Sequence, residues 1–373
     1  MSVKSIIRYT LFSLVGGAIG VGLYYRPIPE VKAGDDDEDK YSLTPVKGEV
    51  KPLFTTPVQL AEHAAKKEGF LLQSCRALTI GSVAAFSTFY LNFLNRVYIK
   101  NDDKYQLLLR NILSRPDYQP LLTVSNHAST VDDPSLFISI VPWWVNLTPK
   151  LMRWSLCTQD ICFKNPMFAA FFGLGKVMPI KRGGGIDQKL LLDFGRRLAA
   201  GDWCHTFPEG GTCQTGNLHK TRRPTGVGNL KWGTGKLIAH SPTLPIVIPF
   251  WHTGMQEILP EHPVDKRLLK IIPSVDRSIT LRVGEPINFD DLLEDYEKKH
   301  GALKKFSASA EMDPDSWEDY WPSTPEEKEL YSAICRRIED EMAKLEKSAK
   351  IELGDSYPYR PEMVRKGLYS KQV

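Results

Sequence analysis

Short apolar, β-branched runs alternate along this chain with stretches of helical period, and one of them runs into a Pro-Glu-Gly turn that no strand continues through. Pro120-Leu121-Leu122-Thr123-Val124-Ser125 stops at Asn126-His127, and Trp203-Cys204-His205-Thr206-Phe207 stops at Pro208-Glu209-Gly210. Strand-like runs at 176–180, 245–250 and 279–283 complete the set, with helix-like stretches at 134–141, 187–200 and 229–240. In the second of these, Leu190, Leu191, Phe194 and Leu198 share one face with charges opposite, the pattern of a cover helix. The expected fold is therefore α/β, with a mostly parallel central sheet flanked by helices. At 373 residues and 42% hydrophobic, the chain can bury one large domain with appendages.

Two strand tips carry reactive residue types. After the first come His127 and, five positions on, Asp132 at a helix start; after the second comes Glu209. A neutral imidazole takes a proton from a hydroxyl at pH 7, and a carboxylate on its other nitrogen fixes the tautomer and stabilises the imidazolium. His127 and Asp132 are the candidate catalytic residues, with Asp133 the alternative partner for the imidazole. The run at 176–180 ends in Lys181-Arg182-Gly183-Gly184-Gly185, a basic glycine-rich turn suited to a phosphate. No Gly-x-Ser-x-Gly elbow occurs, so a covalent serine intermediate is not expected.

These blocks, in this order, resemble those of the glycerolipid acyltransferase family: Asn126-His127-(x4)-Asp132, the Gly/Arg turn at Arg182, Phe207-Pro208-Glu209-Gly210, and the proline-containing strand at 245–250. Leu151-Met152-Arg153-Trp154, Asp160-Ile161-Cys162-Phe163, Leu230-Lys231-Trp232-Gly233 and Trp251-His252-Thr253-Gly254-Met255 are similar to the tafazzin branch of that family, over roughly residues 70 to 300. The resemblance implies one glycerolipid-acyltransferase-like domain and exchange of an acyl chain between a phospholipid and a lysophospholipid, with monolysocardiolipin as acceptor. It implies His127 as general base, Asp132 as its orienter, and Arg182, Glu209, Gly210 and Asn126 as substrate-binding residues. Arg182 would take the phosphate, and Glu209 a glycerol hydroxyl or the arginine itself. Backbone amides near Gly210 and Gly211 are the oxyanion candidates. One ester replaces another of nearly equal free energy, so no cofactor or metal is expected. An acyl-CoA-dependent O-acyltransferase, an N-acylphosphatidylethanolamine synthase and a non-catalytic membrane scaffold stay open.

The ends suggest a membrane partner. Residues 9–25 are free of charge between Arg8 and Arg26, at the lower limit for spanning a bilayer, and the basic, acid-poor flanks suit a mitochondrial address. The resulting division is a membrane or targeting segment at 1–30, an acidic linker at 31–56, the catalytic domain at 57–300 and a C-terminal helical extension with a polar tail at 301–373. The expected location is a mitochondrial membrane, facing the intermembrane space. Residues 58–68 read as a short helix, and 70–98 as one helix, apolar nearly all round, with Arg76 and Arg96 bracketing it where snorkelling cations sit. Residues 166–175, with Trp143, Trp144 and Trp154 just before, read as a second interfacial candidate. Thr324-Pro325-Glu326-Glu327 is a capping box opening a last helix. A net charge of +4 without a basic stripe or stacking aromatics argues against a nucleic-acid partner. Six cysteines without a CxxC pair indicate neither a zinc site nor a disulfide framework, and Cys157 and Cys162 read as ordinary buried thiols.

Overall fold

A computed structural model describes residues 69–100, 102–218, 230–262, 268–307 and 321–354. The apolar leader, the acidic linker and the helix expected at 58–68 lie outside the described residues, as do residues 355–373. The strands are β1 (Arg96–Lys100), β2 (Leu121–Ser125), β3 (Ser155–Thr158), β4 (Val177–Ile180), β5 (Trp203–Thr206), β6 (Ile246–Thr253) and β7 (Ser278–Val283). Five of them form one sheet in the order β1-β7-β6-β2-β5, parallel throughout except between β6 and β7. β3 and β4 form a separate parallel pair, joined to β5 by a bridge between Trp154 and Cys204.

β2 lies inside the sheet with all five residues buried, which is why its sequence does not alternate between apolar and polar. Its side chains still alternate between two cores. Leu122 and Val124 meet Trp154, Phe194, Leu237 and Trp251 on one face; Leu121 meets Phe137, Trp203, Ile248 and Phe250 on the other. The flanking helices are α1 (Phe70–Thr88), α2 (Asp102–Ser114), α3 (Asp132–Ile140), α4 (Gln159–Cys162), α5 (Pro166–Leu174), α6 (Lys189–Ala199), α7 (Gly233–Ala239), α8 (Met255–Ile258), α9 (Asp290–His300) and α10 (Pro325–Leu353).

The single helix expected over 70–98 is corrected. α1 passes through a π turn at Phe89–Phe93, and Arg96 then opens β1, whose Val97, Tyr98 and Ile99 pair with β7. β-branched and aromatic residues there favour an edge strand over a further helical turn. Arg76 does not snorkel either: it is buried and donates to the carbonyls of Gly173, at 2.6 Å, and Leu174, at 3.3 Å, capping the end of α5. α1 packs against α5 and the short 3-10 turn Trp143–Leu147. These three pieces leave Phe70, Leu71, Leu78, Trp143, Trp144, Leu147, Met167 and Phe171 exposed, whereas Met152 and Trp154 are core. Among the described residues, Phe70–Phe93 is the one helical stretch long and apolar enough to cross a membrane.

α10 is held at its start by the reciprocal Thr324 and Glu327 cap, with Pro325 at the first helical position. Its Leu330, Ile334, Ile338 and Met342 enter the core. Gly235 of α7 permits the close approach, because a Cβ there would fall 2.6 Å from the Tyr331 carbonyl oxygen. Beside that contact, His240 Nδ1 donates to the Lys304 carbonyl, leaving Nε2 to accept from the Tyr331 hydroxyl, each at 2.5 Å. Burial takes the His240 pKa down to about 4. Below pH 6.5 the unfolded chain binds a proton that the folded chain refuses until about pH 4, so stability falls as pH drops across that window. Chemical denaturation from pH 7.5 to 4 is expected to show up to about 3 kcal/mol of loss from this group, and His240→Gln a shallower slope.

Candidate active site

The registers of the parallel strands assemble the site. Val124 of β2 lies beside Thr206 of β5, so three residues after this pair His127 and Glu209 emerge side by side. On the other side Ser125 pairs with Phe250 of β6, which brings Asn126 to His252. The site thus sits beyond the carboxyl ends of three adjacent strands.

His127 is fixed from several directions. Its Nδ1 lies 3.0 Å from Asp132 Oδ2, its ring stacks on Phe207 with centroids 4.1 Å apart, and its backbone N–H donates to Glu209 Oε1 at 2.8 Å. Its carbonyl accepts from the Cys213 N–H at 2.6 Å. Because Nδ1 faces a carboxylate it carries the proton, leaving Nε2 as the basic nitrogen, without a partner among the described residues. The side chain is 20% exposed, enough for that edge to meet a ligand. Asp132 is fully buried at the head of α3, and the same Oδ2 also accepts the backbone N–H groups of Ala128 at 2.6 Å and Ser129 at 2.8 Å.

Asp133, the alternative partner, turns away into an ion pair with the fully buried Arg153, whose guanidinium lies 5.3 Å from the centre of the Phe137 ring. Burial brings the Arg153 pKa down to about 9, which leaves it charged at neutral pH. Next to this pair, His205 is enclosed by Phe137, Phe207 and Phe250, with Nδ1 2.9 Å from the Thr123 hydroxyl. Burial holds its pKa well below 6.5, with Arg153, His127 and His252 adding to the effect, so it stays neutral.

Residues 106–253 match the acyltransferase family model, a span that ends on the last residue of β6. The chain is 41% identical over 215 residues to the N-acylphosphatidylethanolamine synthase of Arabidopsis thaliana, covering 58% of this chain and 71% of that protein. It is 36% identical over 220 residues to the tafazzin of Drosophila melanogaster, covering 59% and 53% respectively. Against the Dictyostelium discoideum taffazin it is 32% identical over 234 residues, covering 61% and 72%. The chain belongs to the tafazzin-type acyltransferases.

In this acyltransferase the other anticipated residues occupy different settings. Asn126 does not face the opening: it is buried, and its amide donates to the His252 carbonyl and accepts from the His252 N–H, both at 2.9 Å, extending the β2–β6 ladder through a side chain. Arg182 is exposed, 3.4 Å from the Thr158 hydroxyl and 3.8 Å from Asp160, while Glu209 is buried against the backbone of His127. Gly210 has φ 75°, and a Cβ there would fall 2.9 Å from Lys231 Cγ, so the turn requires glycine. Its N–H is spent on the Phe207 carbonyl at 3.0 Å, leaving Gly211 as the candidate oxyanion amide. The spacing of His252 carries no signal for its place in the site, since it lies 120 positions after Asp132.

The reading of Cys157 and Cys162 as free thiols is also corrected, for they form a disulfide. β3 and α4 place them at the two ends of a tight turn, with Cα atoms 6.0 Å apart, a separation compatible with a bridge. The closed loop contains Thr158 and Asp160, the two partners of Arg182. Cys75, Cys204, Cys213 and Cys335 lie outside the disulfide, and burial pushes the Cys204 thiol well above its ordinary value.

Alkylation of the unfolded protein without reductant is expected to modify these four thiols and, after reduction, all six cysteines, read by intact mass. Asp133→Asn strands the buried Arg153 charge and is expected to cost roughly 3–5 kcal/mol in chemical denaturation. Asp132→Asn is expected to remove activity with a smaller change in denaturation midpoint.

Proposed function

We propose that this acyltransferase moves an acyl chain, without coenzyme A, from a diacyl phospholipid to monolysocardiolipin, with His127 as the general base. The observation that carries the reading is the His127–Asp132 pair, a partly exposed imidazole backed by a fully buried carboxylate. Nε2 of His127 takes the proton of the acceptor hydroxyl as its oxygen forms a bond to the donor ester carbonyl. Collapse of the tetrahedral intermediate breaks the bond to the donor glycerol oxygen, which receives that proton from the imidazolium. Asp132 steadies the charge between the two transfers, and the Gly211 amide is the candidate donor to the oxyanion. Arg182 serves the phosphate, exchanging its contact with exposed Asp160 for the stronger bidentate one. Glu209 acts by fixing the backbone of His127, which revises the glycerol-binding part expected for it.

Lipid reaches such a site from a membrane surface. The exposed apolar strip of α1, Trp143–Leu147 and α5 is the contact we assign to it, since scattered single residues do not give a patch of this kind. The tafazzin resemblance and the basic, apolar leader support a mitochondrial membrane facing the intermembrane space, with residues 1–30 as anchor or address, 31–56 as linker, 57–300 as catalytic domain and 301–373 as helical extension and tail. A second reading draws on the 41% identity to the Arabidopsis thaliana protein: the acceptor is then the amine of phosphatidylethanolamine, deprotonated by the same imidazole.

The test follows label from an acyl-labelled phosphatidylcholine in mixed vesicles containing both monolysocardiolipin and phosphatidylethanolamine, with purified full-length protein and no coenzyme A. Label is expected in cardiolipin, with a loss in His127→Ala on the order of 10²–10⁴-fold. Label on the ethanolamine nitrogen selects the second reading, and transfer confined to added acyl-CoA overturns the coenzyme-independent one.

A further inference from the structure

The carboxylate that holds the base touches two imidazoles. Asp132 Oδ2 lies 3.0 Å from His127 Nδ1 and 3.6 Å from Nε2 of His252, on the β6 side of the site. His252 is fully enclosed, with its Nε2 2.9 Å from the carbonyl oxygen of Asn126. A carbonyl only accepts, so Nε2 carries the proton. That tautomer leaves Nδ1 as a lone pair, and Nδ1 is buried without a hydrogen-bond partner among the described residues. An orphaned buried acceptor costs about 1–3 kcal/mol, and packing alone gives no return on it, because an aliphatic side chain fills such space without an orphan.

We propose that His252 is a positioning residue for acyl transfer: its Nε2–H clamps the Asn126 carbonyl, and with it the peptide leading into His127, while sharing the Asp132 carboxylate so that His127 is not over-stabilised as imidazolium. The proposal rests on His127 being the base. It uses His252 as a neutral dipole, and the surroundings keep it so. Burial draws its pKa below 6.5 and His127 adds to that, against the opposing pull of Asp132 and the Asn126 carbonyl. The titratable groups around the two rings are Asp132 from the head of α3, Glu209 from the turn after β5, His205 from β5, and each ring itself. His205 is neutral, so the balance between the rings is set chiefly by Asp132.

Two variants separate positioning from mere filling. In His252→Leu the Asn126 carbonyl loses its donor and Asp132 is left wholly to His127, so the imidazolium is favoured. The expected result is a kcat lowered on the order of 10- to 100-fold with KM little changed, and an acid limb of the kcat profile moved up by about half to one pH unit. In His252→Gln a side-chain amide N–H reaches the position of Nε2, so most of kcat and the wild-type acid limb are expected to return. The same shift is read without activity by the His127 resonances in histidine-labelled full-length protein in detergent micelles, titrated from pH 5 to 9. An unmoved His127 titration in His252→Leu overturns the proposal, as does equal loss in the Leu and Gln variants. Full activity in His127→Ala defeats the base assignment instead, and the titration then still decides whether the two rings are coupled.

Discussion

One carboxylate oxygen, Oδ2 of Asp132, organises the loop that carries His127. It accepts from the ring of His127 and from the two backbone amides that follow it, so the loop between β2 and α3 is wound around a single buried charge. Three N–H donors on a fully enclosed oxygen are what make such a charge tolerable away from water. The same contacts fix which nitrogen of His127 is left basic and which way it points. Ring orientation, tautomer and loop conformation are therefore consequences of one interaction rather than separate features.

The sheet supplies what that interaction needs. β2, β5 and β6 run parallel, so their carboxyl ends open at one edge, and their registers decide who meets whom: Glu209 the His127 backbone, Asn126 the His252 backbone, Phe207 the His127 ring. Beneath them lies a layer of buried charge and aromatic rings, with Arg153 and Asp133 paired against Phe137 and a neutral His205 between phenylalanines. Such a floor excludes water and fixes the field around the imidazole before substrate arrives. Cations elsewhere are also drawn inward: Arg76 and Lys176 serve backbone carbonyls, and both lie about one ring contact from Trp154, at 5.0 and 4.9 Å.

Much of the fold was legible because its signals are local. Buried parallel strands read as unbroken apolar runs, α6 as a one-sided periodicity, and the start of α10 as a reciprocal cap whose two halves lie three residues apart. The elements that escaped are those in which local pattern and final structure diverge. β1 follows α1 without a breaker strong enough to mark the change, and β3 is four residues whose Ser155 and Thr158 carry little strand signal. Asp132 and Asp133 are adjacent in sequence and equally plausible beside His127; the partner each takes depends on Arg153, twenty residues further on.

The sequence by itself determined the class of sheet, the strand tips, the residue types at those tips and their resemblance to acyltransferases, because each is written in a few neighbouring residues. Only the tertiary structure decided how those residues are used. It set Asn126 against the backbone of β6 and Glu209 against the backbone of His127, bonded Cys157 to Cys162 around the two partners of Arg182, and set His252 behind Asp132. The physical reason lies in the long-range contacts of the side chains. A buried polar group must find its partner in space, and strand register and helix packing, which are sums over the whole chain, choose that partner.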